Sequence, residues 1–346
     1  MPHTAPRRRA VRETPWTRAR ARVGGLRESS LPALVAGLVA LGGAGVLVAG
    51  MLGLGPHYLG AMGSVAVATA FSWALAARVG GRPMVFGAVA LAIGSAVVWL
   101  DRGFLTTGAA VMTGVVSAVL AVMATVPAVT ALHVLREVMV ATVVAAIGAL
   151  AVVGFEPAVS LPRFEYTTLV LSLVGALALV HRLGAGLHGL SRRGILTVAV
   201  GGLVLAVTLA YGELLRRYGT PELVEGLLEM VHWSRDNLGA FPRPLEAVLG
   251  VPALTWGIHM RARRGQGWWV CSFGVAATAP IATSLVNTSV SVVESSLAVV
   301  YGIVVGLVIG FLLIRVDLLL SGTGRRRGSR TPAEARPEPP RTRPLL

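Results

Sequence analysis

The chain has 346 residues, of which 54% carry apolar side chains and only 14% are charged. A soluble domain carries nearer a quarter charged residues, so polar side chain is too scarce here to cover a water-facing surface of this size. The formal net charge is +15 and all 31 basic residues are Arg; this composition excludes an ordinary soluble enzyme and makes lipid the natural solvent.

Residues 1–30 hold eight Arg among Pro and Thr with no apolar run, which predicts a disordered tail. Ten apolar stretches follow: Leu31–Leu54, Leu59–Ala77, Met84–Leu100, Leu105–Val126, Val138–Phe155, Thr167–Leu183, Ile195–Tyr211, Leu245–Met260, Trp268–Val286 and Leu297–Ile314. Most reach the roughly 17–25 residues that cross a hydrocarbon core. The first is long enough to span and has no clear cleavage site, so it should remain as a helix. The eighth is short and carries Glu246, which makes it the weakest span. Residues 321–346 are again polar and rich in Arg and Pro, a second tail expected to be disordered.

Arginine placement tests this order independently of hydropathy. With the N-terminus inside, 25 Arg fall in inner connections and tails and 6 in outer ones, whereas acidic residues fall 6 inside and 10 outside. The Arg bias sets orientation, and an odd number of spans would place the Arg-rich C-terminal tail outside. The fold expected is therefore all-α: a polytopic transmembrane helix bundle of about ten spans with both termini inside. It would sit in a bacterial cytoplasmic membrane, with a transmembrane domain over residues 31–320. The tail arginines are expected to meet anionic lipid rather than nucleic acid.

The long outer segment between the seventh and eighth stretches carries one distinct element. Thr220-Pro221 reads as a helix start, and from Pro221 to Leu238 the apolar residues share a broad face. Glu222, Glu225, Glu229, His232 and Asp236 fall within an arc of roughly 80° on the other side, at about 100° per residue. The sharper reading of this amphipathic helix, at about 220–239, is a cation-binding stripe. The plainer one is a solvated face, with the helix docked on the other spans because anionic headgroups repel it.

Ionisable residues in or near spans are functional candidates by default. Glu137 begins the fifth stretch on the inner side and Glu246 lies near the outer end of the eighth, each followed by apolar sequence. These two are the substrate or coupling candidates. Gly302, Gly306 and Gly310 form a GxxxGxxxG face in the tenth stretch, a close-packing surface for a helix of the same chain or for a second membrane-protein subunit. The loop Arg261–Trp269 reads as an ordinary inner helix end with interfacial aromatics. Cys271 is the single cysteine and is expected to be a structural thiol.

No HExxH, GxSG or GxxxxGK[ST] motif is present, nor a paired Asp-x-x-x-Asp pattern. No cofactor and no catalytic residue is expected. The plan of about ten short helices, dividing into Leu31–Phe155 and Thr167–Ile314, resembles the five-plus-five layout of the drug/metabolite transporter superfamily in length, count and topology. That resemblance implies inverted repeats with a site at mid-membrane. The halves share no residue-level pattern and the acidic outer helix has no place in that layout, so the sequence assigns no family. The leading expectation is a permease-like transporter of a small or lipidic solute. The alternative is a non-catalytic membrane subunit or scaffold of an envelope complex.

Overall fold

The computed structural model describes residues 31–56, 58–158, 160–183, 192–264, 267–320 and 338–345, with side chains for all of these but 192–195, 197–198, 212–217, 221–224 and 264. The N-terminal tail expected to be disordered lies outside the described residues. Every regular element among them is helical. In chain order these are α1 (Leu31–Met51), α2 (Leu59–Arg78), α3 (Pro83–Leu100), α4 (Gly103–Met123), α5 (Ala131–Val153), α6 (Leu161–Arg182), α7 (Arg192–Tyr218) and α8 (Pro221–Leu238). A π-helical turn (Leu245–Gly250) then leads into α9 (Val251–Arg264), followed by α10 (Trp268–Ser272), α11 (Val275–Ala282) and α12 (Val292–Leu320).

Seven of these, α1 to α6 and α12, are long and apolar enough to cross a membrane. The other three apolar stretches are helical without meeting that standard. In α7 the apolar run found among the described residues is Ala199–Tyr211, inside a helix that spans Arg192–Tyr218. The eighth opens as a π-helical turn. The ninth is broken at Phe273-Gly274 between α10 and α11, and Pro280 inside α11 has no N–H to continue the ladder.

Small residues let the helices approach closely. Gly63 of α2 faces Gly43 O of α1, so a Cβ at either position would lie about 3 Å or less from the opposing helix. Gly87 and Gly94 of α3 take Trp73 and Val65 of α2 in the same way. The main core is built around α4 and α5, with Val119, Val122, Met123, Val138 and Ala145 packed on Val251, Leu254 and Ile258 of α9 and on α11. A buried hydrogen bond from Thr278 Oγ1 of α11 to Ala118 O of α4 (2.9 Å) crosses that core. In an apolar interior the carbonyl and hydroxyl have few other partners, so the bond fixes the register of α11 against α4.

Gly302, Gly306 and Gly310 are buried against the π-helical turn and α9: a Cβ on them would lie 2.8 Å from Glu246 Cδ, 2.5 Å from Val251 Cβ and 2.7 Å from Thr255 Cβ. This face is filled by the chain's own helix and is not open to another subunit.

The α8 helix starts with Pro221 at its first position and ends at Gly239, which takes the left-handed conformation (φ 78°) that a side chain resists. Its hold on the bundle is concentrated at the C-terminal end. There Tyr301 Oη of α12 donates to Leu238 O (2.8 Å), and Arg235 Nε lies 3.2 Å from Glu294 Oε1. Leu228, Met230, Trp233 and Leu238 stay about half exposed. The helix thus meets the bundle at that end, and its apolar face is elsewhere only partly covered by protein among the described residues.

The C-terminal tail also departs from the sequence reading. Residues 338–345 lie against the bundle where α2, α4 and α9 finish, and the Leu345 side chain joins the main core. Disorder does not extend to these eight residues. Buried charges at the helix ends hold them, and a composition-based reading cannot see those charges.

Candidate functional site

The two carboxylates singled out by sequence sit in opposite circumstances. Glu137 lies in the second turn of α5, because Thr130 starts that helix by accepting from His133 N and so draws residues 131–137 into it. Its side chain is fully buried. Oε1 accepts from Arg136 Nε (3.1 Å) and Nη2 (2.9 Å). Oε2 accepts from Val126 N (3.0 Å) and from Arg341 Nη2 of the tail (2.6 Å). With four donors on two oxygens, this carboxylate is committed to structure.

Glu246 is equally buried, yet neither of its oxygens has a hydrogen-bond partner among the described residues. It lies in the π-helical turn, where one extra residue per turn displaces a side chain from its ordinary helical direction. Such turns recur at functional sites. Gly302 makes room for it, with the missing Cβ position 2.8 Å from Glu246 Oε1. Fifteen residues of helix separate Glu246 from Arg261 near the end where the tail docks, roughly 22 Å at 1.5 Å per residue. Glu137 and Glu246 therefore do not share a compartment.

The residues just before Glu246 line a cavity of about 360 Å³ between α6, α8, the π-helical turn and α12. Arg243, Arg235, Glu165 and Glu294 supply two charges of each sign to its wall, and Tyr166 and Phe241 supply aromatic surface. Arg243 is positioned by Nη1 donating to Pro280 O (2.7 Å) in the interrupted helix α11. A concave, mixed-charge compartment beside an unpartnered buried carboxylate can bind a small polar or amphipathic molecule, and its charges can orient it.

The acidic stripe of α8 forms no comparable site. Glu225, Glu229, His232 and Asp236 are solvent-facing, and the Glu222 side chain lies outside the description. Among the described residues no three His, Cys, Asp or Glu side chains come together to hold a metal ion.

Sequence reasoning missed the network around residues 338–345. Arg78 Nε donates to Met123 O (3.0 Å), and Arg341 Nε donates to Ala124 O (2.8 Å). Arg261 donates to Thr125 Oγ1 (2.9 Å) and Thr125 O (3.0 Å), pairs with Glu338, and lies 3.6 Å over the Trp268 ring. The available signal was the Arg261…Trp268 spacing, which reads equally well as orientation charge beside an interfacial aromatic. Arg243 was likewise counted only as an outer charge. Cys271 is buried, 3.9 Å from Arg261 Nη1. Comparison with protein families, curated proteins and solved structures finds no match to this chain.

Proposed function

We propose that the chain is a permease-like carrier of a small or lipidic solute in a bacterial cytoplasmic membrane, crossing ten times with both ends inside. The seven long helices supply most of the crossings. The helices α7, α9 with its π-helical turn, and the α10–α11 pair would supply the other three. This count brings the Arg-rich connections and the docked tail to one side, as the charge bias requires. The cavity bounded by Arg243, Arg235, Glu165 and Glu294 would be the outward-facing compartment and Glu246 the coupling residue.

One observation carries the reading. Glu246 is a buried carboxylate with no hydrogen-bond partner among the described residues, set at a π-helical turn directly after cavity-lining Leu245. Such a group is costly to keep in an apolar bundle and has no structural bond to justify it, whereas proton or ion coupling does. Glu137 lacks that property. The glycine face that would have favoured a subunit role is occupied within the chain, so the transporter reading stands ahead of the scaffold.

The test is translocation by the purified chain in liposomes, with a panel of radiolabelled amino acids and sugars and a fluorescent phosphatidylglycerol as probes. At least one probe should cross faster than in protein-free liposomes. Glu246→Gln, which keeps shape and volume, should cut that rate tenfold or more while elution on a sizing column stays unchanged. Background rates for every probe, together with stoichiometric recovery of another membrane protein, would overturn the reading in favour of a subunit.

A further inference from the structure

The end of the bundle where the tail docks holds two guanidinium groups that the bundle does not satisfy by itself. The Arg261 side chain is completely buried. One side of its fork is held by Thr125 and its face covers Trp268. The remaining edge, Nε and Nη2, meets the Glu338 carboxylate at 3.2 and 2.6 Å in a two-point contact. That edge is the one by which Arg grips carboxylates and phosphates.

Arg78 is 3% exposed. Apart from Met123 O, its hydrogen-bond acceptors are tail carbonyls: Nη1 reaches Pro340 O (3.0 Å), Arg343 O (2.8 Å) and, at 3.5 Å, Pro339 O. Its Nη2 is buried and has no partner among the described residues. Carbonyl dipoles and one carboxylate therefore stand where an anion would satisfy both arginines at once.

The hold of the tail is polar rather than apolar. Pro340, Thr342, Arg343 and Pro344 are exposed, and Leu345 is the tail residue that packs on the core. Arg341 contributes by bridging Glu137 and Ala124 O, and Leu345 N donates to Arg78 O (2.8 Å). If the segment left, Glu137 would keep Arg136 and Val126 N, whereas Arg78 and Arg261 would face the vacated space with a net positive charge. Buried unpaired charge is unfavourable, so the vacated site should draw an anion.

We propose that Arg78, Thr125 and Arg261 form a binding site for a phosphate group at that end of the bundle. The segment Glu338–Leu345 is its tethered occupant, competing with the ligand and released by it. The site belongs to the opposite end from the Glu246 cavity, and the proposal does not depend on the chain being a carrier.

Full-length protein in phosphatidylcholine nanodiscs, titrated calorimetrically with inorganic phosphate, tests it. Glu338→Gln with Arg341→Gln weakens the tail without touching the two arginines, and should tighten phosphate binding at least tenfold over the unaltered chain. A synthetic peptide of residues 338–346 should compete with phosphate on that double variant. Phosphate should also speed trypsin cleavage after Arg341 in the unaltered chain, because competition between occupants is reciprocal. Discs of phosphatidylglycerol separate the sources. Loss of phosphate binding there identifies a lipid headgroup as the ligand, and unchanged binding identifies a free anion. Equal phosphate affinity with and without the tail substitutions, or no binding to the double variant together with no competition by the peptide, would overturn the proposal.

Discussion

Gly306→Ala isolates the packing that holds α12 against α9. A Cβ at this position would lie 2.5 Å from Val251 Cβ, 2.9 Å from Val251 Cγ1 and 3.2 Å from Ala247 O. Carbon atoms pack at about 3.5–4.0 Å, so the two helices would have to separate by about 1 Å. No rotamer change relieves the contact, because Val251 Cβ and Ala247 O are fixed to the backbone of α9 and its π-helical turn. Inserting one carbon into a filled core costs about 1–3 kcal/mol, and a backbone-fixed contact belongs in the upper half of that range. The better helix propensity of Ala returns up to about 1 kcal/mol. A net loss of about 2 kcal/mol follows, near a thirtyfold change in the unfolding equilibrium.

Gly42 and Gly45 of α1 are the controls, since a Cβ there would meet no heavy atom within 4 Å. Alanine at either should be neutral or slightly stabilising. Reversible unfolding in mixed micelles, followed by tryptophan fluorescence, measures all three. A Gly306→Ala stability within about 0.5 kcal/mol of the Gly45→Ala control would refute the close approach of α9 and α12 on which the placement of Glu246 depends.

Two further outcomes follow from single contacts. Tyr301→Phe removes the bond to Leu238 O at a cost of roughly 0.5–1 kcal/mol, felt locally. Amide exchange over residues 234–238 should accelerate while exchange in α4 and α5 stays unchanged, and uniform rates would count against the anchoring of α8 at that end. Cys271 is fully buried beneath Arg261 and against Gly257. A maleimide should therefore label it only after denaturation, and rapid labelling of the folded protein would contradict the packing of α10 on α9.

Apolar run length made the bundle legible, because lipid demands long apolar helices wherever the chain crosses it. It made the helix starts less so. Hydropathy places the fifth stretch at Val138, whereas α5 starts at Ala131, because Thr130 caps it and helix formation is indifferent to the polarity of His133, Arg136 and Glu137. The count of ten apolar stretches exceeds the seven helices of crossing length for a related reason. In the eighth and ninth stretches, Pro280, the junction at Phe273-Gly274 and the π-helical turn at Leu245 interrupt helix geometry without lowering hydropathy much. The candidate site divides in the same way. Glu137 and Glu246 look alike in sequence, each an isolated carboxylate followed by apolar residues. What separates them is the set of donors on Glu137: Arg136 beside it in sequence, Val126 N, and Arg341, 204 positions beyond it. No local pattern could assign Arg341 there, and composition assigns its segment to disorder.

The two ends of the bundle manage buried charge differently, and that difference is the strongest guide to where function lies. At the end where the tail docks, Glu137, Arg78 and Arg261 each have an opposite charge or a set of carbonyls, and part of that balance is supplied by a segment held through exchangeable polar bonds. At the opposite end Arg243, the cation three residues before Glu246, donates to Pro280 O, and Glu246 has no hydrogen bond among the described residues. Packing does not explain that carboxylate. Gly302 opposes it, and an apolar residue of similar volume could fill the same space without the cost of burying an ionisable group. A position where an apolar side chain would be the more stable choice, and where the opposing helix carries no side chain against the carboxylate, is what supports the coupling role proposed for Glu246. The same reasoning assigns Glu137 to structure: its four donors leave nothing for a substrate or an ion to take.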